Sequence, residues 1–148
     1  MDSIQHIRKT DLARKTRQVI RTVQRGGTAV IESHGDEEAA IIDIVDYRIL
    51  RAVMRYHAQP NGRQRSELHA EELRRLADLQ ARYNLVLSYY LSRCISVARA
   101  AELLDLSSFE LRNRFQRLEV PLRVAPADVS EAKSDLGAAR APASKPAK

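Results

Sequence analysis

The chain is 148 residues long and carries 25 Lys and Arg against 19 Asp and Glu, a formal net charge of +6. This length suits one compact domain or two small ones, and the basic balance favours acidic partners such as nucleic acid. The single cysteine, Cys94, excludes an internal disulfide, and neither an apolar leader nor a run approaching roughly 20 apolar residues is present, so we expect a cytoplasmic protein without membrane contact.

The N-terminal segment predicts a strand followed by an amphipathic helix. Residues 3–8 favour a short extended strand, and Thr10 is a candidate helix cap. After Thr10, side chains that can be buried recur at helical spacing up to the glycine pair at 26–27, which ends the helix. The residues of this stripe are Leu12, Thr16, Val19, Ile20 and Val23.

A hairpin and a second helix complete the first unit. The segments TAVIES and EEAAIID flank His34-Gly35, where glycine permits the positive φ of a tight turn. From Asp46, the stretch DYRILRAVMRY returns to helical spacing and ends before a Pro-Asn-Gly breaker. Residues 1–58 therefore predict a β-α-β-β-α unit of an α+β fold, followed by a linker at 59–65.

A long helix is predicted over 66–92, with Ser66 as its cap. Its apolar stripe contains Leu68, Leu73, Leu76, Leu79, Tyr83, Val86, Leu87 and Tyr90. This stripe is longer than one small sheet can cover, so it predicts a protein partner that binds Leu76, Leu79 and Tyr83. After a second unit at 66–124, the Ala-, Pro- and Lys-rich segment 125–148 predicts a disordered tail that assists partner binding.

The stretch ISVARAAELLDLSSFELRNRF predicts two short helices that meet at a tight turn, the shape of a helix-turn-helix. Ala101 supplies the small residue at the helix crossing, and Ser107 or Ser108 caps the second helix. Asp105 occupies the corner, where glycine is usual. The predicted shared core consists of Leu104, Leu106, Leu111 and Phe115.

Two sets of residues are candidates for contact with duplex DNA. On the second helix of the pair, Ser108, Arg112 and Asn113 would face outward, where their side chains suit base edges and phosphates. Residues 1–35 hold seven Lys or Arg against three acids. The basic residues nearest the strand-to-helix corner are Arg8, Lys9, Arg14, Lys15 and Arg17. For both sets, the alternative interpretation is an ordinary solvated helix face.

Both halves of the chain resemble antitoxins. The stretch SIQHIRKTDLARKTRQVIRTVQRGGTAVIESHGDEEAAIIDIVDYRIL resembles the N-terminal domain of Phd/YefM-type antitoxins in the order of its elements, although Asp36, Glu37 and Glu38 stand where that family often carries Arg or Lys. The stretch ISVARAAELLDLSSFELRNRFQRLEVPLRV is similar to small prokaryotic antitoxin-like proteins that combine an AAELLGLS helix-turn-helix with an IPL ending, and here Asp105 replaces the glycine. The resemblance implies a dimeric repressor of its own operon that masks a toxin, commonly a ribonuclease.

Other classes of function are weighed against this one. The four histidines lack the spacing of metal ligands, and no glycine-rich phosphate loop follows a strand, so we expect no catalytic residues, metal or cofactor. Two alternatives stay open. One is a DNA-binding transcriptional regulator that acts without a toxin, and the other is a helical scaffold for protein interaction that binds no DNA.

Overall fold

The computed structural model describes residues 3–59 and 68–122, and within them the chain forms an α+β fold. The elements are β1 (Ile4–Arg8), α1 (Leu12–Gln24), β2 (Thr28–Ser33), β3 (Asp36–Ile41), α2 (Ile44–Ala58), α3 (Ala70–Arg74), α4 (Leu79–Leu91), α5 (Val97–Leu103) and α6 (Ser108–Arg117). The predicted cap Ser66, most of the predicted linker and the tail predicted over 125–148 lie outside the described residues.

The sheet has the order β1-β2-β3, with β1 parallel and β3 antiparallel to β2. Helix α1 connects the two parallel strands and packs on one face of the sheet, where a small core forms from Ile7, Val19, Val23, Ala29 and Ile31. At the hairpin, His34 has a φ of 53° and Gly35 a φ of 87°, which is the pair of left-handed residues that a two-residue hairpin turn requires. The predicted hairpin is therefore confirmed.

The first helix differs from its prediction at its start and agrees at its end. A 3-10 turn at Lys9–Asp11 precedes α1, so Thr10 lies inside this turn and does not cap the helix. At the other end, Gly26 adopts a φ of 90° and donates its N–H to the carbonyl of Val23, as the glycine pair predicts. The buried stripe is also narrower than expected, because Ile20 is 44% exposed.

A larger core joins α2 to the C-terminal helices. Ile49 and Ala52 of α2 are buried together with side chains of α3, α4, α5 and α6. The sequence groups α2 with the sheet in residues 1–58, whereas the buried side chains of α2 belong to the core of the second half. Helix α2 is thus the covalent and structural link between the sheet and the C-terminal helices.

The prediction of a single long helix over 66–92 is wrong, because α3 and α4 are separate helices. Asp78 between them adopts an extended conformation, and its carboxylate accepts a hydrogen bond from the N–H of Gln80, so it begins a new helix. The break lets Leu73 and Tyr83, each 3% exposed, enter the same core. Helices α2, α5 and α6 cover this stripe except at Leu79, which is 40% exposed, so most of the stripe needs no outside partner.

Helices α5 and α6 form the pair that the sequence predicts. Ala101 is 1% exposed where the two helices pack, and Leu104, Leu111 and Phe115 are buried beside it. The hydroxyl of Ser107 accepts a hydrogen bond from the N–H of Glu110, which identifies Ser107 as the cap of α6.

Three helices in this half end on residues with a positive φ that are not glycine. Arg93 follows α4 with a φ of 62°, Asp105 follows α5 with 57°, and Glu119 follows α6 with 55°. Glycine is the usual residue at such positions, since it has no Cβ to clash with the backbone. Asp105 at the corner therefore adopts the left-handed backbone conformation for which glycine is usual.

A buried ion-pair network fixes α6 against α2. The Arg114 guanidinium donates from Nη1 to Asp43 Oδ1 at 2.8 Å and to Asp46 Oδ1 at 2.6 Å, and from Nη2 to Glu110 at 2.9 Å. Arg117 donates to the other oxygen of Asp46 at 2.6 Å. Only 13% of the Arg114 side chain and 6% of the Asp46 side chain are exposed, so the centre of this network is shielded from solvent, whereas Glu110 is 43% exposed at its edge.

The charge balance of the network favours ionised Arg114. Burial alone would lower the pKa of Arg114, but its hydrogen bonds to Asp46, Glu110 and Asp43 outweigh that effect and raise the pKa above its ordinary value. Asp43 also caps α2 by accepting the N–H of Val45, and Asp46 lies in the first turn, where a negative charge is favoured by the helix dipole.

Replacing Arg114 should therefore destabilise the protein strongly. We expect Arg114→Met to lower the free energy of unfolding by about 3 kcal/mol, because it leaves buried carboxylates without their partner. Urea denaturation followed by circular dichroism measures this change, with Arg112→Ala on the exposed face of α6 as the matched control. Combining Arg114→Met with Asp43→Asn and Asp46→Asn should restore part of the loss. A loss no larger than that of the control would contradict the structural role of the network.

Candidate nucleic-acid interface

The outer face of α6 is built from polar side chains and one aromatic ring. Its exposed residues at helical spacing are Phe109, Arg112, Asn113 and Gln116, preceded by Ser108 at the start of the helix. The two arginines that follow, Arg114 and Arg117, point inward to the ion-pair network. Two of the arginines of α6 are thus engaged inside the protein, and Arg112 is exposed to solvent or a ligand.

The chemistry of this outer face suits contact with bases. Arginine and asparagine can each make paired hydrogen bonds to a purine edge in the major groove, and an apolar side chain can contact the thymine methyl group. Phe109 is 74% exposed, so its ring is accessible to a ligand. The sequence prediction missed Phe109 and Gln116, although both follow from extending the helical spacing of Arg112 and Asn113 by one turn in each direction.

The basic residues predicted at the N-terminus are all exposed. Two of them form ion pairs with carboxylates. Lys9 pairs with Glu38 at 2.8 Å, and Arg14 pairs with Asp11 at 2.9 Å. The hydrogen bond from Lys9 lowers the pKa of Glu38 below its usual value. Among the described residues, no ion pair involves the other three predicted contacts, Arg8, Lys15 and Arg17.

A cleft of about 540 Å³ lies between the end of α1 and α6. It is lined by Ser3, Arg25, Gly26, Gly27, Asn113, Gln116, Arg117 and Glu119. Gly26 lies so close to the Arg117 guanidinium that an added Cβ would be 2.8 Å from its Nη1 atom. The cleft therefore places the outer face of α6 beside the C-terminal end of α1.

The cleft does not bring the two predicted sets of DNA contacts together, because none of the predicted N-terminal basic residues lines it. Asn113 shares the cleft with Arg25, whereas Arg14 and Arg17 lie near the opposite end of α1. A helix of 13 residues spans about 20 Å. Any duplex that touches both sets must therefore run along α1, or the two sets must contact different parts of a larger assembly.

The three predicted partner-binding residues have different environments. Tyr83 is buried in the larger core and its burial raises the pKa of its phenol, so it is not accessible to another protein in this structure. Leu76 is half-buried against the same core. Leu79, at the start of α4, is 40% exposed and is the member of the set that a partner can reach.

Comparison of the chain with protein-family models, curated proteins and solved structures finds no match. Across residues 3–59 and 68–122, no helix has both the length and the apolar character needed to cross a membrane.

Substitutions can distinguish the exposed outer face of α6 from the buried contact between α5 and α6. Arg112→Ala combined with Asn113→Ala should change the free energy of unfolding by less than about 0.5 kcal/mol, because both side chains are exposed. Ala101→Asp should lower it by several kcal/mol, since the carboxylate would be buried without a partner. Thermal denaturation monitored by circular dichroism compares the two. If the double variant were as unstable as Ala101→Asp, the outer face would be structural and not a free binding surface.

Proposed function

We propose that this protein is the antitoxin of a type II toxin-antitoxin system, which binds its own operator DNA as a dimeric repressor and neutralises a ribonuclease toxin by direct contact. The observation that carries the DNA-binding part is the outer face of α6, an exposed row of base-reading side chains on the second helix of a capped helix pair. The resemblance of both halves of the sequence to antitoxins carries the rest.

In this proposal α6 enters the major groove as the recognition helix of a helix-turn-helix. Ser108, Arg112 and Asn113 contact phosphates and base edges. The ion-pair network supports this role, because Arg114 and Arg117 hold the helix from its inner side while its outer side chains stay available. A recognition helix gains specificity when its orientation is fixed before binding, since less conformational freedom is lost on contact.

The N-terminal basic residues contribute phosphate contacts. Arg8, Lys15 and Arg17 are exposed and make no ion pair within the described residues, while Lys9 and Arg14 would exchange a carboxylate for a phosphate on binding. Such contacts release counterions from the duplex and give affinity with little dependence on sequence.

The face of the sheet opposite α1 supports dimerisation. Ile4 is 59% exposed there, and Val30 and Ala40, which are register partners, lie on the same face. A small sheet covered on one side only can bury its other side against a second copy, and a two-fold dimer would present two α6 helices to a palindromic operator.

The toxin would contact α2 and the start of α4. Ile44, Tyr47 and Met54 recur on the outer side of α2 and are 54%, 44% and 70% exposed. The amide of Gln80 donates to the backbone carbonyl of Arg48 at 3.0 Å, which places the first turn of α4, including Leu79, beside α2. Exposed apolar side chains of this kind are ones that protein partners cover.

One observation favours a second candidate, a DNA-binding regulator that acts without a toxin. Most of the apolar stripe of residues 68–90 is buried within the chain, because Leu73, Tyr83 and Tyr90 lie in the larger core. An antitoxin that depended on its toxin to cover this stripe would leave it exposed.

Gel-shift titration against the DNA upstream of the gene, over a series of salt concentrations, tests DNA binding. We expect Arg14→Ala with Arg17→Ala to reduce the slope of log K against log salt by about two, because each lost phosphate contact removes about one unit. Arg112→Ala with Asn113→Ala should weaken operator binding more than non-specific binding. Arg55→Ala, at the far end of α2, is the matched control. An operator affinity unchanged by both double variants would exclude these surfaces as the DNA-binding site.

Co-purification with the product of the adjacent gene tests the antitoxin role. Leu79→Ser with Met54→Ser should abolish capture of that product, whereas Phe109→Ser, which removes an equally exposed apolar side chain from α6, should leave it intact. Deletion of residues 126–148 should leave operator binding nearly unchanged. If operator binding persists but the adjacent product is never captured, the stand-alone regulator is the better account.

A further inference from the structure

One histidine and two glutamates converge on the face of the sheet opposite α1. His6 lies on β1, Glu32 on β2 and Glu37 on β3, and one potential ligand atom from each lies within 4.8 Å of the others. The His6 Nδ1 atom is in contact with Glu32 Oε1 and lies 3.8 Å from Glu37 Oε1. The side chains of Glu37 and His6 are 66% and 48% exposed, so the group is open to solvent.

The pairing of the strands creates this arrangement. Glu32 is opposite Glu37 in the antiparallel pair, next to a register shift between Ile31 and Glu32. His6 approaches from the parallel strand on the other side of β2. Three adjacent strands of a hydrogen-bonded sheet hold the group, so its members keep their separation better than residues on a loop would.

The group contains two glutamates and one histidine. Two glutamates directly opposite each other on neighbouring strands repel. The nearby Lys9 is engaged with Glu38, and no lysine or arginine in the described ranges forms an ion pair with Glu32 or Glu37. A cation between the two carboxylates would remove this repulsion.

We propose that His6, Glu32 and Glu37 bind a divalent transition-metal ion of the Zn²⁺ class. One imidazole nitrogen and two carboxylate oxygens match the ligand preferences of such ions, with water completing the coordination. Mg²⁺ and Ca²⁺ are disfavoured, because they prefer all-oxygen ligands. The ion replaces the hydrogen bond between His6 and Glu32 and links β1, β2 and β3. The site lies on the sheet face that we propose for dimerisation, where His6 is the register partner of Val30, but the metal proposal does not rest on the antitoxin function.

The sequence does not reveal this site, because its three members come from three different strands. Its members are separated by 26 residues between His6 and Glu32, so no local spacing motif exists. Of the adjacent acids Asp36, Glu37 and Glu38, only Glu37 joins the group, because neighbouring side chains on a strand point to opposite faces and Glu38 binds Lys9.

Calorimetric titration of Zn²⁺ into the chelator-treated full chain, free of any affinity tag, tests the proposal. We expect one equivalent to bind. His6→Ala and Glu37→Gln should each weaken binding by at least about tenfold, since even the loss of a residue that only orients a ligand costs that much. His34→Ala, on the same hairpin, and Glu38→Gln, one residue from Glu37, are the matched controls and should bind as the unchanged protein does.

Two further measurements keep the result unambiguous. In a two-dimensional nitrogen-proton spectrum of the imidazoles, Zn²⁺ should move the His6 Nδ1 resonance to the range of a metal-bound nitrogen and leave its Nε2 protonated. Zn²⁺ should also raise the melting temperature of the unchanged protein and of His34→Ala, but not that of His6→Ala, because a ligand stabilises only the state that binds it. If His6→Ala fails to fold, His6→Gln replaces it. Absence of binding, or an equal loss in His34→Ala, would overturn the proposal.

Discussion

The Arg114 guanidinium, enclosed by Asp43, Asp46 and Glu110, is the constraint on which the position of α6 depends. A buried cation must meet its carboxylates at hydrogen-bond distance, so α6 can neither rotate nor slide on α2 without exposing an unpaired charge. Apolar contacts in the same core tolerate small shifts more easily, since they lack direction. The direction in which Arg112 and Asn113 point is therefore set by charges on the opposite side of their own helix.

The same network reaches the sheet. Arg117 shares Asp46 with Arg114, and its guanidinium lies against Gly26 in the turn between α1 and β2. The sheet and α1 have a small core of their own, and the close approach of Arg117 to Gly26 brings α6 against them in addition to the chain connection through α2. A ligand that moved Arg117 would disturb both its packing against the C-terminal end of α1 and its ion pair with the first turn of α2.

Local features of the fold could be predicted and long-range ones could not. The hairpin at His34-Gly35, the buried Ala101 and the cap at Ser107 follow from neighbouring residues, and the structure has all three. The break at Asp78 was hidden because the apolar spacing continues across it. Charged residues on a short helix are expected to face water, and nothing near Arg114 in the sequence indicates that its partner Asp46 lies 68 positions away. The His6 group depends on strand register in the same way.

The helix ends at Arg93, Asp105 and Glu119 have a consequence for sequence variation. Each residue is exposed, yet each adopts a left-handed backbone that costs a side-chain-bearing residue about 1 kcal/mol or more. Among homologues, these positions should accept glycine and asparagine and exclude valine and isoleucine, because β-branched side chains tolerate this conformation worst. Such selectivity at a surface position is commonly taken as a sign of ligand binding. Here the backbone conformation alone accounts for it, so restricted variation at these three positions is not evidence of a binding site.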